Sequence, residues 1–210
     1  MHNFLSYIKV PWLVFTLAVF TLLIKLSLWQ TDRAVEKEHR LARISDFQQQ
    51  AALSIDELLL LERDKGENIN DFPIKLSGTF DKDILFLLDN QANNNQLGYR
   101  VLQVFRTEEH SVLVNLGWVV GSINRQEIPK ISVIEGQHNL RGNIRFNDVG
   151  IQLIEQDFTG LSWPIRVQQI ELDKFSTLIK QKLLPFVVYL DTKESIGYKK
   201  NWQPIVMPPE

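Results

Sequence analysis

The sequence contains no cysteine. That excludes a disulfide framework, thiolate metal sites and a cysteine nucleophile, while leaving the redox compartment open. Neither charge sign is in excess: 23 Lys and Arg stand against 25 Asp and Glu, a net charge of −2. No basic field points to nucleic acid, and no acidic excess points to disorder. A G-x-S-x-G elbow, a glycine-rich phosphate loop and an H-E-x-x-H pair are all missing. The four histidines, His2, His39, His110 and His138, are scattered over tail, stalk and domain, and none has metal-ligand spacing to another. Glu108-Glu109 and the pair Asp81/Asp83 read as turn residues, where solvated charge is the default. No catalytic residue and no metal ligand is assigned, and a conventional enzyme is disfavoured.

What is present begins with a long apolar run. From Val10 to Trp29 the only charge is Lys25. At about 1.5 Å per residue, such a helix spans roughly 30 Å, the hydrocarbon thickness of a bilayer. Trp12 and Trp29 stand near its two ends, where indoles favour the headgroup zone, and Lys25 can snorkel. A buried soluble helix would show a polar face, but Leu13 to Ile24 is interrupted only by Thr16, Ala18 and Thr21. A cleaved signal peptide would end in a small-x-small site, and Leu28-Trp29-Gln30 is not one. The run reads as a retained anchor, 10–29, after a short tail, 1–9. Lys9 before it and Lys25, Arg33, Lys37, Arg40 and Arg43 on or after it would, by the positive-inside rule alone, keep the following domain cytoplasmic.

Beyond the anchor, Thr31 to Ala52 lacks Gly and Pro and carries Ala34, Leu41, Ile44, Phe47 and Ala51 at near-helical spacing. This predicts a stalk helix. Ser54 with Glu57 forms a capping box ahead of a short helix at Leu58 to Leu61, and Arg63 to Asp71 is a loop. Stalk and loop thus cover 30–71. The domain 72–210 then reads as strands: Ile74 to Phe80 around Gly78, Ile84 to Leu88, Tyr99 to Phe105 and Ser111 to Val120. Asn90 to Gln96 reads as a surface turn. Leu140-Arg141-Gly142-Asn143-Ile144 echoes Leu76-Ser77-Gly78-Thr79-Phe80, which suggests equivalent corners of a curved sheet. After Trp163-Pro164, Asp173 is expected to cap a helix carrying Phe175, Leu178, Ile179 and Leu183, stopped by Pro185 before a last strand, Phe186 to Leu190. The Pro-rich end, Asn201 to Glu210, should run extended. The fold class is α+β: a mainly antiparallel β domain with short helices, preceded by a transmembrane helix and a helical stalk.

Two polar stretches stand out. On a helix, Gln30, Arg33 and Lys37 share a face just beyond Trp29. They suit an interfacial anchor, with Arg and Lys on phosphates, or a docking surface for another membrane protein; the residues alone favour the anchor. Asn115-Leu116-Gly117-Trp118 suits a bulge that re-aims a large aromatic, or more simply a core Trp beside a close-packing Gly.

Taken in order, these pieces resemble the Surfeit locus protein 1 family, assembly factors of haem–copper cytochrome c oxidase. The family's Leu-x-x-Trp-Gln-x-x-Arg-x-x-x-Lys run is matched by Leu26 to Lys37, with Ser27 where Gly is frequent. Its Gly-x-Phe strand end is matched by Gly78-Thr79-Phe80, and its Gly-Tyr-x-Val-Leu by Gly98 to Leu102. Val-Leu-Val-Asn-Arg-Gly-Trp-Val appears as Val112 to Val119, with Leu116 in place of Arg, a departure that removes a charge expected on the domain surface. Gly142 and Gly197 fall where the family has domain glycines.

The resemblance implies a bacterial inner-membrane protein with a periplasmic domain, against the bare Lys/Arg count. It implies a binding role in delivering haem a to oxidase subunit I or its assembly intermediates, with membrane lipid as a further partner. Trp29, Gln30, Arg33 and Lys37 would dock the oxidase subunit or haem propionates at the interface, and Gly98, Tyr99, Asn115, Gly117 and Trp118 would shape the β domain. In the family a second membrane helix after a segment like Pro208-Pro209 carries the histidine thought to hold haem a; the sequence stops at Glu210, which is expected either of a truncated sequence or of a single-pass member. No cofactor is evident in the chain itself, and haem a enters only through the resemblance. Lack of cysteine separates the chain from copper carriers, which need soft ligands. The alternative is a structural or secretion-type single-pass protein with an extracytoplasmic β module, although Met1 to Lys9 shows no processing signal.

Overall fold

The protein is described from a computed structural model, which places residues 10–50, 52–65, 69–122, 124, 127–146, 158 and 162–202. The Pro-rich end beyond Trp202 lies outside the described residues. The chain divides into two compact units, after Asp46.

The first unit is helical. Helix α1, Val10–Gln50, is one uninterrupted helix of 41 residues, so apolar run and stalk are continuous. Its segment Val10–His39 is long and apolar enough to cross a membrane, and is exposed throughout. Leu17 and Leu22 are each 66% exposed, a degree that lipid tolerates and water does not. The two hydroxyls inside the span are satisfied within the helix. Thr16 Oγ1 donates to Trp12 O and Thr21 Oγ1 to Leu17 O, each at 2.8 Å.

The second unit begins with helix α2, Ile55–Lys65. Its start is the capping box predicted from Ser54 and Glu57. The Glu57 carboxylate accepts from the Ser54 N–H at 2.7 Å and hydroxyl at 2.8 Å, and Ser54 Oγ accepts from the Glu57 N–H at 3.3 Å. The strands are β1 (Pro73–Asn93), β2 (Gln96–Arg106), β3 (Ser111–Val120), β4 (Gln137–Arg145), β5 (Ile165–Val167) and β6 (Leu183–Leu190), with helix α3 (Leu172–Leu178) before β6.

Pairing runs β2-β3-β6-β4-β1, and β1 pairs back onto β2, so five strands close a ring. All ring pairs are antiparallel except β3–β6, and β5 adds a parallel edge to β1. One long strand makes closure feasible: Pro73 to Thr79 faces β4, while Thr79 to Asn93 faces β2. Closure removes the exposed edges that an open sheet would present. Alternate residues fill the ring: Ile74, Leu76, Leu85, Leu87, Val101, Phe105, Val112, Val114, Ile144 and Val188, with Leu58 of α2. The opposite-facing positions Phe86, Leu102, Val104, Leu113 and Val187 build a second core with Phe175 of α3 and Ile165 of β5. Each such buried side chain contributes on the order of 1.5–3 kcal/mol.

Several local expectations are corrected. Asp81 and Asp83 are predicted to bracket a turn between two strands, yet β1 continues through them by a register shift between Phe80 and Leu85. Fully buried Gln103 bonds Asp81 O at 2.9 Å, and Arg106 holds the Asp81 carboxylate, Nε at 3.0 Å, so the bulge keeps its partners. The turn expected over Asn90 to Gln96 narrows to Asn94-Asn95, both at positive φ, as a two-residue hairpin requires. Helix α3 ends at Leu178, short of Leu183, because Lys180 turns left-handed at φ 53°. Glu171, not Asp173, occupies its N-cap position. Pro185 lies inside β6, at a register break between Ser111↔Leu183 and Leu113↔Val187, where its missing N–H is harmless. The two Gly-centred echoes do face each other: β1 and β4 pair with Leu76 opposite Leu140.

Candidate functional site

The stretch Trp29 to Lys37, the exit motif at the end of the apolar run, lies on α1. Trp29 is 55% exposed, and Gln30, Arg33 and Lys37 are exposed as well, their spacing placing the three on one helix face. Nothing in the β unit is needed to form this face.

The second group lies in the β unit, where β2 and β3 meet out of register. Val101 opposes Gly117 and Leu102 opposes Asn115, leaving Leu116 as the extra residue of a bulge. Gly117 has φ +128°, and a Cβ there would lie 2.6 Å from the Tyr198 carbonyl carbon. Asn115 Oδ1 takes up the Gly117 N–H at 3.1 Å. The C-terminal segment straps the bulge: Tyr198 N–H donates to Leu116 O at 2.7 Å and Trp118 N–H to Lys199 O at 2.8 Å. Trp118 is buried, its indole N–H reaching Gln91 O at 2.7 Å and its ring lying where a Cβ on Gly98 would fall, at 2.7 Å. Tyr99 and Asn115 are buried too. Gly98, Tyr99, Asn115, Gly117 and Trp118 therefore come together as one buried corner, apart in kind from the exposed α1 face. Leu116 is fully buried in the ring core, so position 116 is interior and not the surface site expected of it.

A groove of about 890 Å³ opens beside α2, lined by Asp56, Lys75, Thr79, Arg106, His110 and Arg141 among others. At its edge Asp56, Glu109 and His110 bring one ligand atom each within 4.8 Å of one another, and His110 Nε2 stands 3.2 Å from Asp56 Oδ1. Both carboxylates are exposed, where water solvates them. The sequence offers no signal for this meeting, because α2 and the β2–β3 turn are joined only by the fold.

Spacing also misses an aromatic–guanidinium cluster. Arg145 lies 4.5 Å and Arg100 5.8 Å from the centre of the Tyr189 ring, and Arg100 is 5.4 Å from that of Trp202. Burial lowers the pKa of Arg100 from its ordinary value; Tyr189 opposes this, and the charge of Arg145 adds a smaller push downward. Lys200 is likewise lowered by burial, while its ammonium donates to Glu194 O and Ile196 O at 2.9 and 2.8 Å.

A comparison with curated proteins finds no match. A comparison with family profiles matches the SURF1 family over residues 17–210. That stretch takes in most of α1, with its exit motif, and the whole β unit, and the chain belongs to the SURF1 family.

Proposed function

We propose that the chain is a membrane-anchored assembly factor for cytochrome c oxidase, acting by binding and not by catalysis, and assisting the delivery or insertion of haem a. The observation that carries this reading is the family match over residues 17–210, which includes Leu26 to Lys37 at the end of the apolar helix. The family is one of oxidase assembly factors, and α1 supplies a span suited to a membrane. On this reading the β unit is periplasmic, at the inner membrane of a bacterium, and α1 presents Trp29, Gln30, Arg33 and Lys37 to oxidase subunit I or its assembly intermediates.

Haem a is cargo in this scheme, and the geometry of the described histidines singles out none of them as its ligand. His39 is exposed on α1, His110 is engaged by Asp56, and His138 Nε2 lies 2.8 Å from Glu135 O. The reading assigns the iron to none of the described residues. The test is isolation of the tagged full chain from host membranes in mild detergent. Co-isolation of oxidase subunit I supports the proposal, and its absence from membranes rich in oxidase intermediates contradicts it.

A further inference from the structure

The outer face of the ring carries a second kind of chemistry beside the apolar core under α3. Asn115 on β3 and Asn143 on β4 are both register partners of Tyr189 on β6, so the three side chains share one face. Arg100 and Arg145 bring their guanidinium groups over that same tyrosine, and Trp202 meets its ring edge-on at 5.1 Å. Hydrogen-bond supply and demand do not balance here. Arg100 donates through Nε to Gln91 Oε1 at 2.9 Å, but its Nη1 is buried with no acceptor. Asn115 spends its Oδ1 on Gly117, and its Nδ2 is buried with no acceptor either. Asp71 Oδ1 stands 3.4 Å from Arg145 Nε. A buried donor left without an acceptor is costly, more so where the group is charged. The chemistry that would satisfy a guanidinium and an amide N–H together is an oxyanion.

We propose that Arg100 and Asn115, on the Tyr189 platform, bind an oxyanion, a carboxylate or phosphate group, whether free or on a lipid headgroup. Arg145 adds its charge from the other strand bordering β6, and Trp202 closes the side. The site is independent of the assembly reading: it rests on the ring's outer face alone and stands or falls separately.

The experiment uses the full chain in a zwitterionic detergent, with arginine side chains labelled with 15N. Inorganic phosphate, acetate and dihexanoyl phosphatidylglycerol are titrated in turn, following the Arg100 Nε–H resonance and the melting temperature. The site predicts a saturable shift with a rise in melting temperature. Arg100→Gln should weaken phosphate binding at least tenfold. Asn115→Asp should do the same, since it keeps the acceptor for Gly117 and replaces the free donor with a negative oxygen. Should Arg100→Gln fail to fold, Asn115→Asp carries the test. Binding of the lipid at least tenfold tighter than phosphate identifies a headgroup as the source, and equal binding identifies a free oxyanion. A shift that never saturates, or that persists unchanged in the Asn115→Asp protein, overturns the proposal.

Discussion

At the scale of single residues, the account makes its sharpest claim at Gly117. Its φ of +128° is open to glycine and strained for other residues, and the strap at Tyr198 leaves no room for a Cβ. Gly117→Ala should lower stability by about 2 kcal/mol or more in urea unfolding of the full chain, since strain and clash add. A loss below about 0.5 kcal/mol, the size of an ordinary surface change, would mean the bulge and strap are misplaced. Ser54 and Glu57 make a second claim. Hydrogen bonds from the Ser54 backbone N–H, and then its hydroxyl, hold the Glu57 carboxyl below its ordinary pKa. A carboxylate lowered on folding stabilises fully above its unfolded pKa and loses that contribution as pH falls through the folded value. Ser54→Ala should cost about 1 kcal/mol at neutral pH, with a smaller difference from the wild type in the acid range below the usual glutamate pKa. A difference independent of pH would remove the reciprocal cap. This box was legible because both partners lie within one turn of chain. Arg100, Arg145 and Tyr189 were not, because three different strands bring them together and no local pattern marks them.

At the scale of elements, the sequence was most legible where a long run of one character, apolar or charged, marked an element. The apolar run and the charged stalk predict α1, and the structure joins them without a break. The mainly apolar runs Tyr99 to Phe105 and Ser111 to Val120 place β2 and β3 to within a few residues. The errors share one cause: pairing with distant parts of the chain overrode the local signal. Asp81 and Asp83 look like turn residues, but Gln103 and Arg106 keep β1 in the sheet across them. Pro185 looks like a helix stop, but a register break in the parallel β3–β6 pair gives it a place inside a strand. Three-residue β5 was invisible, too short to show a period. For α1 the assembly reading yields a direct prediction. Trp29→Ala combined with Arg33→Ala should reduce assembled oxidase in membranes by about an order of magnitude. Circular dichroism should stay native, because both side chains are exposed. Normal oxidase content in that variant would remove the proposed docking role of the exit motif.

At the scale of the whole molecule, the α+β class and the antiparallel bias were readable, whereas ring closure was not. Closure depends on β1 being long enough to serve both β4 and β2, and on β6 returning parallel to β3, and neither leaves a trace in local hydrophobicity. The motifs behave similarly. Gly98, Asn115, Gly117 and Trp118 were conspicuous in sequence, and the ring gathers them into one corner with buried aromatic and amide groups. Family membership joins this ring and its apolar helix to oxidase assembly. Haem a delivery is the step beyond, and it is open to one direct measurement. The gene is deleted in a host that makes a haem a oxidase and has no second copy, and reduced-minus-oxidised spectra of its membranes are recorded. The account predicts a reduced haem a band with b- and c-type bands retained, restored by the intact chain. An unchanged haem a band would contradict it.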